Sequence, residues 1–213
     1  MEITKFQHAC LAVKTSSASF VIDPGVYTND LIIPRHVDAI VITHEHPDHC
    51  NEALVKRIAK KHPKAVIIGH SQVVSKFGNL NTTTVQSGEV INISGSKLEF
   101  FGGEHAPILS TLKTPANLCL MIDDKFYYAG DSFTTPNAPV DILALPVSAP
   151  WLKISESIDF LHKINPQLAF PTHDAILSRE GKDLVDRIIL GSLPQGTSYS
   201  RIDGNRLTAS SPN

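Results

Sequence analysis

Ala39-Ile40-Val41-Ile42-Thr43-His44-Glu45-His46-Pro47-Asp48-His49 is the stretch on which the reading of this chain turns. Ala39 to Ile42 form a short, unbroken apolar run, the pattern of a strand buried on both faces. Four side chains able to bind a metal follow at once: His44, His46, Asp48 and His49. Strand ends are where sites form in sheets flanked by helices. Residues two apart in extended backbone face the same way, with Cα atoms about 6–7 Å apart, so His44 and His46 can converge on one ion. Both rings can then reach the zinc–nitrogen distance of about 2.0–2.1 Å. Pro47 stops the strand and can turn the chain, which places Asp48 and His49 to hold a second ion beside the first.

Two ions need more ligands, and other strand ends supply them. Leu98 to Phe101 leads through Gly102-Gly103 to Glu104-His105. Phe126 to Ala129 leads to Gly130-Asp131-Ser132, and Leu168 to Pro171 leads to Thr172-His173-Asp174. Each junction is an apolar strand, small or rigid turn residues, then a ligand, and the glycines fit places where backbone must come close to a site. Each is weak alone, since Asp131 could be a turn carboxylate and His173 a capping residue. With the first cluster they supply a plausible full set for two ions. His36, His62, His70 and His162 lack partners nearby in sequence and read as surface or capping histidines. Glu45 and Glu104 neighbour ligands but are expected to point away.

The rest of the chain mixes strands with helices. Ala9 to Val13 and Phe20 to Ile22 are strand-like, the second ending at the turn Asp23-Pro24-Gly25. Leu54, Val55, Ile58 and Ala59 share one helical face opposite Lys56, Arg57 and Lys60. Ala65 to Ile68 is another buried strand. Thr82 to Phe101 is β-rich, with turns at Ser87-Gly88 and Ser94-Gly95. Asp123-Asp124-Lys125 reads as a hairpin turn, and Asp141 to Leu145 as a buried strand. Ile154, Ile158, Leu161 and Ile164 follow a helical spacing with Ser155 as the N-cap. Ser178 caps a last helix that Gly191 stops. A hairpin signal stands at Asp203-Gly204-Asn205. This order supports an α/β fold, a four-layer α/β/β/α sandwich, because the long β-only middle argues against a simple doubly wound sheet. One domain over residues 1–213 is expected, with 208–213 a flexible tail.

Composition narrows the function. Apolar residues make up 42% and charged residues 19% of 213, so a core forms without staples. A formal net charge of -2 gives no case for nucleic acid or an anionic membrane as partner. The run Lys60-Lys61-His62-Pro63-Lys64 reads as a solvated helix end. Three scattered cysteines, Cys10, Cys50 and Cys119, suggest neither disulfides nor a thiolate site. Cys10 and Cys119 read as core residues; Cys50, beside the cluster, is less easily set aside. No leader and no membrane span is visible, so a soluble, cytoplasmic protein is expected.

With these motifs in place, the chain resembles the metallo-β-lactamase superfamily over nearly its whole length. His-x-His-x-Asp-His stands at His44 to His49, and Gly130-Asp131-Ser132 is similar to the bridging aspartate motif. Phe6-Gln7-His8-Ala9-Cys10 and Phe20-Val21-Ile22-Asp23-Pro24 point to the small single-domain branch similar to ascorbate-phosphate lactonase-like members. The resemblance implies the α/β/β/α sandwich. It also implies that His44, His46 and His105 hold one metal, that Asp48, His49 and His173 hold the other, and that Asp131 bridges. No cysteine ligand is present at the second site, and antibiotic hydrolysis is not an expected role.

The expected function is a metal-dependent hydrolase. A hydroxide activated by two divalent ions, zinc first with manganese or iron as alternatives, would attack an ester, lactone or phosphoester bond of a small molecule. Asp48 is the candidate catalytic residue, orienting the hydroxide and relaying a proton. Asp23 is a candidate to accept a hydrogen bond from a ligand histidine, with an Asp-Pro turn residue as the alternative. His8 is placed facing the site by resemblance, with a simple strand position as the alternative. Tyr27, Phe133 and Trp151 are candidate pocket walls, with simple packing as the alternative. Competing readings are a di-iron oxidoreductase in the same fold and a non-catalytic metal-binding protein. The substrate and the oligomeric state are left open, an oligomer being possible.

Overall fold

β4 (Ala39–Ile42), the apolar run ahead of the histidine cluster, is buried along its whole length. Its two faces belong to different cores, and that explains the unbroken apolar run. Val41 joins a core between two sheets, whereas Ile40 and Ile42 join a second core under a helix. The computed structural model describes residues 1–29, 31–202 and 206–208.

The first sheet continues outward from β4. Strands β1 (Glu2–Lys5), β2 (Leu11–Lys14) and β3 (Ser19–Ile22) precede it, and β5 (Val66–Gly69) and β6 (Thr82–Thr84) follow. With β14 (Arg206–Thr208) the order is β14-β1-β2-β3-β4-β5-β6. The second sheet contains β7 (Val90–Ile93), β8 (Ser96–Gly102), β9 (Leu118–Ile122), β10 (Phe126–Tyr128), β11 (Ile142–Pro146), β12 (Leu168–Thr172) and β13 (Ser198–Tyr199). It is ordered β13-β12-β11-β10-β9-β8-β7. Phe20, Ile22, Phe100, Leu120, Tyr128 and Phe170 fill the space between the sheets.

Helices close the outer faces. α1 (Glu52–Lys61) turns Leu54, Val55 and Ile58 onto Val21, Ile40 and Ile67. Each of those three side chains contributes about 1.5–3 kcal/mol by leaving water. A one-turn helix, α2 (Ser71–Val74), adds Val73 to the same core. α3 (Ile154–Ile164) and α4 (Arg179–Leu190) cover the second sheet, with Phe160, Leu161 and Ile189 on Met121, Tyr127, Leu143 and Ala169. The fold is the expected α/β/β/α sandwich. Among the described residues no helix is long and apolar enough to cross a membrane.

Some local expectations need correction. Ser155 does not cap α3; it lies inside the helix, and Lys153 is the N-cap position. The Lys153 backbone N–H donates to Glu156 Oε2 at 2.7 Å, so an acidic side chain reaching back does the capping. Thr208, placed in the tail by sequence, is a strand residue paired with Glu2. The hairpin signal at 203–205 and residues 209–213 lie outside the described residues. Cys50 is buried in the core under α1, and burial pushes its thiol up to about 12, so it is an inert packing residue.

One glycine governs how the histidine cluster is held. The Val26 N–H donates to Pro47 O at 2.8 Å and the Asn51 N–H to Pro24 O at 2.9 Å, which ties the turn after β3 to the turn after β4. A Cβ on Gly25 would stand 1.7 Å from Asp48 O and 2.7 Å from His49 N. Both obstacles are backbone and cannot step aside. Gly25→Ala is therefore expected to lower unfolding free energy by about 3 kcal/mol in urea titration. Gly78→Ala meets nothing within 4 Å and serves as the control; its stability should change by less than about 0.5 kcal/mol.

Candidate metal centre

Every candidate metal ligand anticipated from sequence lies in the segment past the C-terminal end of a strand, at one rim of the sandwich. β4 leads to His44–His49, β8 to His105, β10 to Asp131 and β12 to His173. β1 leads to His8 and β3 to Asp23. Donor atoms of His44, His46, His105 and Asp131 lie within 4.8 Å of one another, and so do those of His8, Asp48, His49 and His173.

His44 and His46 converge, but not for the reason anticipated. β4 ends at Ile42, so neither histidine lies in extended strand. His46 opens a tight turn in which its carbonyl accepts from the N–H groups of His49 at 3.0 Å and Cys50 at 2.8 Å. The turn brings His44 Nε2 and His46 Nδ1 to 3.2 Å. Two nitrogens on one tetrahedral zinc lie about 3.3 Å apart, so the pair has the spacing of shared ligands.

Asp131 stands between the two groups. Its Oδ2 lies 3.2 Å from His105 Nε2 and 4.0 Å from His44 Nε2 on one side, and 3.2 Å from His173 Nε2 on the other. Its Oδ1 is 3.0 Å from His49 Nε2. Asp48 Oδ2 lies 3.3 Å from His173 Nε2 and 3.8 Å from His49 Nε2.

The outer nitrogens of these rings are already engaged. His49 Nδ1 donates to Asp23 Oδ2 at 2.7 Å, His105 Nδ1 to Ala106 O at 2.5 Å and His173 Nδ1 to Ser148 O at 2.5 Å. Thr43 Oγ1 donates to Asp23 at 2.7 Å, which leaves its lone pairs to accept from His44 Nδ1 at 3.1 Å. With Nδ1 committed as donor, each ring turns Nε2 to the centre. His49 Nε2, His105 Nε2, His173 Nε2 and Asp131 Oδ1 are buried there without a hydrogen-bond partner. Buried polar atoms are rarely left so, and four of them around one point fit divalent ions.

Charge in the centre is strongly coupled. Burial pushes the Asp131 carboxyl up, but the His49 and His173 charges outweigh it and hold the acid well below its usual range. Asp48 is lowered likewise, its burial overcome by the His173 and His8 rings, whose Nε2 atoms stand 3.3 and 3.2 Å from its Oδ2. Burial opposes protonation of His49 and His173, yet the Asp131 carboxylate raises both, His173 to about 9. Burial dominates at His44, which is lowered well below its ordinary value, and at His8, lowered to about 4.

Several supporting residues were not visible in the sequence. Asn117 is fully buried; its Oδ1 accepts the Asp131 N–H at 3.0 Å and its Nδ2 donates to Ala129 O at 2.9 Å. Gly130, at φ 58°, lets this happen, since a Cβ there would stand 2.4 Å from Asn117 Oδ1. Behind His173, Asp174 forms a buried ion pair with Lys5 at 3.0 Å. Of the aromatic candidates, Trp151 enters the centre: its Nε1–H donates to Asp131 Oδ2 at 2.9 Å. Phe133 packs between Trp151 and Phe160. Tyr27 lies 4.9 Å from the His8 ring and is 41% exposed, an outer wall. Glu45 turns away to Lys76, 3.3 Å distant.

A sequence profile of the β-lactamase superfamily domain matches residues 2–173. The chain belongs to the metallo-β-lactamase superfamily. This superfamily member is 29% identical over 189 residues to Protein Rv0786c of Mycobacterium tuberculosis, covering 86% of this chain and 89% of that one. It is 27% identical to the UPF0173 metal-dependent hydrolase MJ1163 of Methanocaldococcus jannaschii, with 80% and 83% covered. In structure it is similar to Igni18, a metallo hydrolase of Ignicoccus hospitalis, at TM-score 0.72 and 16% identity over 98% and 99% of the two chains. That last likeness speaks for the fold alone.

The charge pattern yields a pH test. His173 and His49 hold protons at neutral pH in the metal-free protein, and an ion must displace them. Calorimetry at pH 7.5 in buffers of different ionisation enthalpy should show about one to two protons released on filling the second group. Affinity should rise with pH up to about 9. A binding heat independent of buffer would contradict this account.

Proposed function

We propose that this metallo-β-lactamase superfamily protein is a hydrolase working with two divalent ions, one in each group, on an ester, lactone or phosphoester bond of a small molecule. The observation that carries the reading is the set of buried, partnerless atoms at His49, His105, His173 and Asp131. In it, His44, His46 and His105 hold the first ion. Asp48, His49 and His173 would hold the second, and Asp131 stands between the two groups. Bound ions supply an activated hydroxide at neutral pH and polarise the substrate oxygen. Nitrogen and oxygen donors without thiolate suit zinc first, and accept manganese or iron.

Asp48 has the role closest to the reaction. Its side chain is 24% exposed against 3% for Asp131, so it faces the open side of the centre. From there it orients the attacking water and passes the proton to the leaving group. Trp151 holds Asp131 and walls the other side. A groove of about 1150 Å³ runs across the outer face of β1–β3 and reaches the centre only at His8 and Tyr27. Its floor, with Thr4, Ala12, Lys14 and Ser19, is the solvated face of a partly antiparallel sheet. It is not part of the substrate site in this reading. A cytoplasmic setting fits three free, buried cysteines.

Metal analysis of the purified protein with Asp131→Ala and Asp48→Ala tests the assignment. Asp131→Ala should deplete both ions, and Asp48→Ala mainly one. Equal occupancy in all three proteins would sink it. Fully loaded protein that turns over nothing in a broad panel of esters, lactones and phosphodiesters would refute the hydrolase reading.

A further inference from the structure

Distance alone groups His8 with Asp48, His49 and His173. The direction of its hydrogen bonds separates it from them. The inner nitrogens of His49, His105 and His173 are freed because each Nδ1–H donates outward, to Asp23, Ala106 O and Ser148 O. At His8 the pattern is reversed. The backbone N–H of Ala175 points at His8 Nδ1, at 3.3 Å. An N–H can only donate, so Nδ1 must accept and carries no proton. The neutral imidazole then bears its hydrogen on Nε2, the atom 3.2 Å from Asp48 Oδ2. To ligate an ion through Nε2 the neutral ring would have to move that hydrogen to Nδ1, where it would face the Ala175 N–H, donor against donor.

We infer that His8 is a positioning residue: its Nε2–H holds the Asp48 carboxylate in place, and its ring is not a metal ligand. The inference rests on the two-ion reading for its importance, though the tautomer does not depend on it. Asp48 needs such a hold. It is the most open of the acids in the centre, and a free carboxylate there would turn to water. His8 in turn is fixed by the segment that carries His173. The His173 N–H donates to His8 O at 3.1 Å, and the two rings lie 3.9 Å apart. Both residues take left-handed backbone, φ 63° and 61°. One hydrogen-bonded unit thus sets His173 as ligand and Asp48 as its neighbour.

The test uses full-length wild-type protein, His8→Ala and His8→Gln. Gln can offer an amide N–H to Asp48 where the imidazole offered Nε2–H, but it cannot replace an imidazole as ligand. In competition titrations with zinc and a chromophoric chelator, His8→Ala should weaken the second ion about 10–100-fold, with the first ion and His8→Gln within about threefold of wild type. Nitrogen-15 spectra of the metal-free wild type should place the His8 proton on Nε2. His8→Gln as weak as His8→Ala, at equal metal-free melting temperatures, would make His8 a ligand and overturn the inference. An unchanged His8→Ala, a proton on Nδ1, or affinity losses that track melting temperature in both variants would overturn it too. A wild type that binds fewer than two ions would instead refute the two-ion reading, and the spectra would still decide the tautomer. Should His8→Ala not fold, His8→Gln and the spectra decide alone.

Discussion

Three imidazole nitrogens and one carboxylate oxygen face each other in a buried wall with no hydrogen-bond partner. Such atoms cost about 1–3 kcal/mol each when left unmade, and more where charge is involved. The fold makes the arrangement durable by committing the far side of each ring. Asp23 is central to this. One carboxylate accepts from the Thr43 backbone, the Thr43 hydroxyl and His49, so the turn after β3 grips the start of the histidine cluster.

The same constraint accounts for the backbone around it. His8, Asp23 and His173 all have left-handed φ values, which cost non-glycine residues energy and persist only where surroundings over-determine them. Here the surroundings are two seven-stranded sheets whose strand ends meet at one rim. The buried Lys5–Asp174 pair sits directly behind His173. Asp174 is also paired with Arg201 and Lys182, so its charge is held from several sides. The rim is rigid on that side and opens at Asp48, which is consistent with a centre that meets substrate there.

Much of this was legible from residue order. Apolar runs ending in Gly-Asp or Thr-His mark strands that stop at a site, and β4, β10 and β12 do so. The double-sided burial of β4 was readable because both its faces need apolar residues. The geometry of His44 and His46 was not, because a backbone turn set by Pro47 and by bonds to His46 O replaced extended chain. β1, β13 and β14 are two to four residues long and take their structure from partners far away in sequence. Asn117 carried no signal: a lone amide in a loop becomes important only once Gly130 comes within reach. Thr43 and Ala175 act through one hydrogen bond each toward a histidine, and such directionality is a property of the folded chain.

The central claim is that two ions sit at this rim, each in a defined shell. Anomalous diffraction at the zinc edge from crystals of the zinc-loaded protein tests it most directly. The account predicts two peaks, one bounded by His44, His46 and His105, the other by Asp48, His49 and His173, with Asp131 shared and His8 Nε2 outside both. A single peak, or a second shell that takes His8 Nε2 as a ligand, would contradict it.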